Sequence, residues 1–215
     1  MGEDLDSAIE AFAAACQRAA TMRLVRCSSG NLSQRLDESR MLIKASRGWM
    51  GDLDADQVAV CRIADGVSLN GRKPSVEIGF HAGILRARPE VNVVLHCQTP
   101  FATTLACCAR AGTSFAVIPE IPYYIGEIGE VPFLLPGSRA LAEAVVAVMQ
   151  DHDLALLRNH GQVTVGPDFE RTFQNAVFFE VACEIIVRAG ARVQPIPPDM
   201  AREVLAARHR HDGAA

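Results

Sequence analysis

Apolar residues recur at helical spacing from residue 6 to 24, with Asp6 or Ser7 placed to cap, so the chain reads as opening on a helix packed by one face. The polar turn Cys27-Ser28-Ser29-Gly30-Asn31 follows, between that helix and a strand. Short apolar segments near 41–44, 58–63 and 67–69 predict neighbouring antiparallel strands, the last two joined through Asp65-Gly66 as a hairpin. Ser75 to Arg86 predicts a helix begun just after Pro74, and Val91 to Leu95 is so apolar that both faces of that strand should be covered. Thr99 to Arg110 returns to helix. Past a loop rich in proline and glycine, Ser138 to Gln150 predicts a helix, and Leu154 to Leu157 and Gln162 to Val165 predict strands about the turn Asn159-His160-Gly161. Asp168 to Arg188 predicts a long helix, and the proline-rich tail from Pro195 leads into a basic, helix-like stretch that is peripheral or reaches a neighbouring subunit. With neither repeats nor a linker, this alternation predicts helices layered over a mixed or mostly antiparallel sheet, in one domain covering 1–215.

Two of these apolar runs end on histidine. VVLHCQTPFATTLA (Val93 to Ala106) and LLRNHGQVTVG (Leu156 to Gly166) each carry a buried strand to a polar rim, and two strand-end imidazoles suggest a metal site. His96 and Gln98 stand two residues apart, so in an extended chain both side chains point to one face. Buried histidines are also common as hydrogen-bonded core residues, and that reading stands beside the metal one for His96 and His160. Ser28-Ser29-Gly30-Asn31 has the donors and the glycine of an anion nest, and equally the residues of an ordinary turn. Lys73-Pro74-Ser75-Val76-Glu77 lies at a helix start, where Glu77 near the third helical position serves an anion-binding end or simply a cap. His152 reads as part of a solvated connection, His209 and His211 as part of the tail, and Glu127 and Glu130 as exposed.

Composition narrows the partners. At 215 residues and 49% hydrophobic content the chain can bury a sizeable core. The net charge of −4, with no basic stripe among aromatics, argues against nucleic acid. An acidic start without a long apolar stretch, and seven cysteines in no zinc-ribbon spacing, point to reduced thiols in the cytoplasm and to no membrane span.

Taken in order, SSGN, Lys44-x-Ser46, Pro74-Ser75-x-Glu77, the strand end His96-x-x-x-Pro100 and the LxxHG-type end at His160 resemble the class II aldolase/adducin family, from about Ala8 to Ala189. The resemblance implies an α/β fold of three layers, αβα, about a central, mostly antiparallel mixed sheet. It also implies a homotetramer with sites at subunit boundaries. It places the divalent metal, zinc first with manganese or ferrous iron as alternatives, on His96, Gln98 and His160, with Glu77 as carboxylate ligand and acid/base. Phosphate-binding positions fall on Ser29, Gly30, Asn31, Ser46 and Ser75. Counting on from Gln98 to the acid of the family's dehydratases and epimerases reaches Glu120. The tyrosine that its aldolases take from a neighbouring subunit falls on Tyr123 or Tyr124, with Tyr124 the preferred candidate. The implied activity is an aldehyde-lyase reaction on a small phosphorylated sugar or a hydroxy or keto acid through a metal-held enediolate. Decarboxylase, dehydratase and epimerase chemistry, or a non-catalytic adducin-like module, are the alternatives.

Departures from the family pattern bear on ligand and substrate. His96-Cys97-Gln98 stands where the family has histidine-x-histidine, so an amide oxygen, a weaker zinc ligand, replaces an imidazole. Cys97, on the opposite strand face, reads as a core thiol. Two histidines and a glutamate still form a catalytic set with open positions, used for zinc in hydrolases and for ferrous iron in oxygenases. Ser46-Arg47-Gly48 and Ser75-Val76 exchange hydroxyl donors for an arginine and a valine, and Arg47 suits a carboxylate as well as a phosphate.

Overall fold

The computed structural model describes residues 2–108 and 112–212. Helix α1 (Gly2–Thr21) buries Phe12, Cys16 and Ala19, spaced so that they fall on one face. The strands are β1 (Asn31–Arg35), β2 (Arg40–Lys44), β3 (Val58–Arg62), β4 (Val93–Cys97), β5 (Gly129–Val131), β6 (Leu154–Leu157) and β7 (Gly161–Gly166). They form one seven-stranded sheet in the order β3-β2-β1-β4-β7-β6-β5, antiparallel except for the parallel β5–β6 pair. Helices α2 (Ile78–Ala87) and α4 (Arg139–Met149) cover one face. α1, α3 (Pro100–Cys108) and α5 (Phe169–Ala189) cover the other. The result is the three-layer α/β arrangement with a mostly antiparallel mixed sheet.

Strand periodicity explains where the polar side chains go. On β4, Val93, Leu95 and Cys97 enter the core under α1, whereas Val94 enters the core under α2, and all five residues are buried. His96 shares the α2 side with Val94, its ring edge-on to Phe80 of α2 at 5.9 Å between centroids. On β1, Leu32 faces α1, while Asn31 and Ser33 bond to groups at and beyond the start of α2. The register pairs Asn31 with His96 and His96 with Val163. A small polar island therefore lies under the head of α2 within an otherwise apolar layer.

Two glycines permit the close approach that builds this island. Gly30 has φ +74, and a Cβ there would meet the His96 carbonyl oxygen at 2.8 Å. A Cβ on Gly161 would meet the Cys97 carbonyl oxygen at 2.5 Å, so β7 starts against the end of β4 only because that residue has no side chain.

Some boundaries differ from the pattern-based reading. The expected strand at 67–69 is reduced to one bridge, Cys61 to Ser68, after a turn in which Asp65 accepts from Val67 N. The expected helix from Ser75 starts at Ile78, because Ser75 N donates to Lys44 O and Ala45 bridges Pro74, tying this segment to the end of β2 instead. β5 has no counterpart in the pattern-based reading; a Gly-Glu-Val segment has too short an alternation to signal a strand, and it forms by pairing with β6. Glu130 is half-buried and paired to Arg158 at 2.6 Å rather than exposed. His152 is half-buried, its Nδ1 bonded to Val148 O, rather than solvated. Ala109 and Arg110, at the end of the helix expected from Thr99, lie outside the described residues, as do the side chains of His209 and His211. The tail forms α6 (Pro198–Asp212), which packs on the wide helical turn Ile121–Ile125. Among the described residues no helix is long and apolar enough to cross a membrane, and all seven cysteines are free.

Candidate metal centre

Glu77, His96 and His160 are far apart in sequence, yet each offers a ligand atom within 4.8 Å of the others. Glu77 arrives from the head of α2, His96 from the end of β4 and His160 from the turn between β6 and β7. Glu77 Oε2 lies 3.5 Å from His96 Nε2, and Glu77 Oε1 lies 3.6 Å from His160 Nε2. Glu77 stands at the helix N-cap position, but its side chain makes no capping bond, so the capping role its sequence position suggested is absent.

The tautomer of His96 follows from its surroundings. Its Nδ1 lies 2.9 Å from the backbone oxygen of Gln162, which can only accept, so Nδ1 carries the proton and the Nε2 lone pair faces Glu77 and His160. That is the arrangement by which a second contact orients a metal-binding histidine. Burial and the neighbouring His96 lower the His160 pKa, opposed by Glu77, which keeps the His160 imidazole neutral and its lone pair available.

Among the described residues, three buried atoms here have no hydrogen-bond partner: Glu77 Oε1, Gln98 Oε1 and His160 Nδ1. A buried carboxylate oxygen without a partner is costly, and this carboxylate faces an imidazole with each of its oxygens, the pattern expected of a cation-binding set. Gln98 reaches the same point, with Nε2 3.2 Å from His96 Nε2; rotating the amide would present Oε1 there instead. The four side chains therefore fit a divalent ion held by two nitrogens and one or two oxygens.

The anion-binding candidates gather beside this set around Lys44. The buried Lys44 ammonium donates to Ser28 O at 3.0 Å and Gly30 O at 3.2 Å. Burial lowers its pKa, which Cys16 and Glu77 partly offset. The Lys44 backbone accepts from Ser75 N, and Ser46 N donates to Lys73 O, so Ser29, Gly30, Ser46 and Ser75 lie in three neighbouring loops, with Asn31 at the start of β1. Several donors are already engaged. Ser29 gives both its amide and its hydroxyl to Arg26 O. The Asn31 amide nitrogen donates to Glu77 Oε2 at 2.9 Å, and Ser75 Oγ accepts from Glu77 N. Arg47 is exposed at φ 65, at the rim of these loops.

Glu120 stands at the N-cap position of the turn Ile121–Ile125, and Tyr124 within that turn stacks on Phe178 at 5.4 Å, with the Arg171 guanidinium 5.0 Å from its ring. These contacts join Tyr124 to the core under α5 rather than to the layer that holds Glu77. Sequence reasoning passed over His81, which is fully buried, hydrogen-bonded to Ser33 and Asn31, and one helical turn beyond Glu77. Its position four residues after Glu77, on a face turned to the sheet, was the available signal.

Comparison with known proteins bears on this geometry. Residues 10–187 match the family described as Class II Aldolase and Adducin N-terminal domain. The 3-oxo-tetronate 4-phosphate decarboxylase of Pectobacterium atrosepticum is 31% identical over 168 residues, 77% of this chain and 77% of that protein. The 5-methylthioribulose-1-phosphate/5-deoxyribulose-1-phosphate aldolase of Rhodospirillum rubrum is 29% identical over 198 residues, 89% of this chain and 86% of that protein. The crystal structure of YgbL from Escherichia coli superposes with a TM-score of 0.84 at 24% identity, covering 93% of this chain and 98% of that one.

Proposed function

Because this chain belongs to the class II aldolase and adducin family, we propose that it is a divalent-metal-dependent lyase that breaks a carbon–carbon bond in a small phosphorylated sugar or keto acid. The observation that carries the reading is the meeting of Glu77, His96 and His160 around one cation-sized gap, with Glu77 Oε1 buried and without a hydrogen-bond partner. Decarboxylation of a phosphorylated keto acid is the favoured form, supported by the activity of the 31% identical relative and by an arginine at position 47 suited to a second acidic group. Aldol cleavage is the second form, supported by the Rhodospirillum rubrum relative.

A bound divalent ion, zinc in the first instance and manganese or ferrous iron otherwise, supplies Lewis-acid polarisation of a substrate carbonyl. His96 and His160 would hold it through their Nε2 atoms, Gln98 through Oε1 and Glu77 through its carboxylate. Glu77 holds or moves a proton at the carbon where the bond breaks, through the oxygen that Asn31 does not occupy. Loops 28–31, 44–47 and 73–77 position the phosphate, with Ser29, Gly30, Asn31, Ser46 and Ser75 as the contacting residues and Lys44 as the charge beneath them. In the proposed cytoplasmic homotetramer of this single domain, 1–215, Tyr124 serves a neighbour's site in aldol cleavage, and Glu120 is the candidate acid of the dehydratase and epimerase alternatives.

Metal analysis of protein purified without chelators, followed by assay of the zinc, manganese and iron forms on 3-oxo-tetronate 4-phosphate and on 5-deoxyribulose 1-phosphate, tests the proposal. Release of carbon dioxide from the first identifies the decarboxylase, and aldehyde from the second the aldolase. Absence of bound ion, with a melting temperature indifferent to all three metals, would leave a non-catalytic oligomeric module.

A further inference from the structure

Beneath the metal centre a chain of hydrogen bonds runs from the sheet to Glu77. Ser33 Oγ lies 2.7 Å from His81 Nδ1, His81 Nε2 bonds to Asn31 Oδ1, and Asn31 Nδ2 donates to Glu77 Oε2 at 2.9 Å. Ser33, His81 and Asn31 are all buried, so none can exchange these partners for water. The directions of the bonds are determined. A carboxylate oxygen only accepts, so Asn31 must turn its amide nitrogen to Glu77 and its oxygen to His81. An amide oxygen also only accepts, so His81 must carry its proton on Nε2. Its Nδ1 is then the acceptor for the Ser33 hydroxyl.

We infer that His81 is a positioning residue for Glu77. Its Nε2–H, with Nδ1 satisfied by the Ser33 hydroxyl, holds the Asn31 amide in the orientation that ties down Glu77 Oε2 and leaves Oε1 to a divalent cation or a substrate proton. Without that donor the Asn31 oxygen is left buried with no hydrogen bond from His81, the amide loses the contact that fixes it against Glu77, and Oε2 is no longer held in place. The two oxygens of Glu77 thus have separate duties: Oε2 is anchored through three residues, and Oε1 has no partner among the described residues. This inference rests on the proposed metal centre for its consequence, but not for the direction of the bonds.

Two measurements on the full-length protein test it. With 15N-histidine labelling and no metal, long-range proton–nitrogen NMR reports the tautomer of each ring. His81 is expected in the Nε2–H form, and the Nδ1–H form would overturn the inference whatever the metal does. Zinc affinity is then measured by competition with a chromophoric chelator. His81→Leu is expected to weaken zinc on the order of 10- to 100-fold, and His81→Gln, which keeps an N–H at comparable reach, to stay within a few-fold of wild type. Equal weakening by both substitutions, or by neither, overturns it. Should His81→Leu fail to fold, His81→Met, which also lacks the N–H, replaces it with the same weakening of zinc expected, and an unchanged affinity overturns the inference. A wild-type protein that binds no zinc but shows His81 as Nε2–H removes the metal centre and leaves the hydrogen-bond chain standing.

Discussion

Replacing Glu77 by glutamine separates a catalytic carboxylate from a structural one. In the metal-free protein the buried carboxylate receives one hydrogen bond, from Asn31, while the Nε2 atoms of His96 and His160 stand 3.5 and 3.6 Å away. The His96 lone pair faces it, so that approach is repulsive rather than bonding. Glutamine keeps an amide oxygen for Asn31 and offers an amide N–H to His160. One buried charge is lost and one hydrogen bond is gained, worth about 1 kcal/mol in favour of the variant. For a chain of this size that raises the melting temperature by roughly 2–4 °C. Lys44 loses a distant attraction but keeps its two carbonyl partners, so the sign holds. Turnover moves the other way: loss of the proton-transferring group costs ~10²- to 10⁴-fold, or about 3–5 kcal/mol of transition-state stabilisation. Scanning calorimetry of chelator-treated Glu77→Gln and carbon dioxide release by its zinc form read the two effects separately. A metal-free melting temperature several degrees below wild type would show Glu77 to be structural, and an unchanged kcat would remove it from the chemistry.

Gly161→Ala sets a Cβ 2.5 Å from the Cys97 carbonyl oxygen, well inside the 3.4 Å at which ordinary contact begins, so β7 must move away from β4. About 1–3 kcal/mol of stability and at least a roughly tenfold loss of zinc affinity are expected, because His160 moves with the turn; calorimetry and chelator competition check both. Gln98→His should tighten zinc on the order of tenfold, about 1.4 kcal/mol, by exchanging an amide for an imidazole, and unchanged affinity would place residue 98 outside the coordination sphere. Burial holds the folded pKa of His81 well below its ordinary 6.5, and that of His160 below it too, so the unfolded chain takes up protons first as pH falls. Their neutral burial is fully compatible with folding above about pH 6.5. Below it, metal-free stability falls with a slope of up to about 1.4 kcal/mol per pH unit for each histidine, and urea titrations at about pH 7 and 5.5 check this.

Local pattern was enough for most of the fold. The apolar run at 91–95 read as a strand covered on both faces, found at 93–97, and 154–157 read as a strand; period-2 alternation already placed Cys97 opposite His96, where the structure has it. The order of motifs along the chain likewise pointed to Glu77, His96 and His160. Tertiary structure decided what each of those residues meets. The helix expected from Ser75 starts at Ile78 because Pro74 and Ser75 are bound to β2, which puts Glu77 at the N-cap position with its side chain turned to the histidines instead of capping. β5 exists only through its parallel partner, and Tyr124 lies where α5 supplies Phe178 and Arg171.

His81 shows the division most clearly. A histidine inside an apolar helix reads as a core residue, and its place four residues after Glu77 is the one hint in its own stretch of sequence to another role. Only the pairing of β1 with β4 brings Asn31 and Ser33 beneath α2, where they turn the same ring into the support of a carboxylate. Periodicity is written along the chain because each side chain's facing depends on its own backbone. The partner of a buried polar atom depends on which strands lie side by side, and that is settled only when distant segments pack.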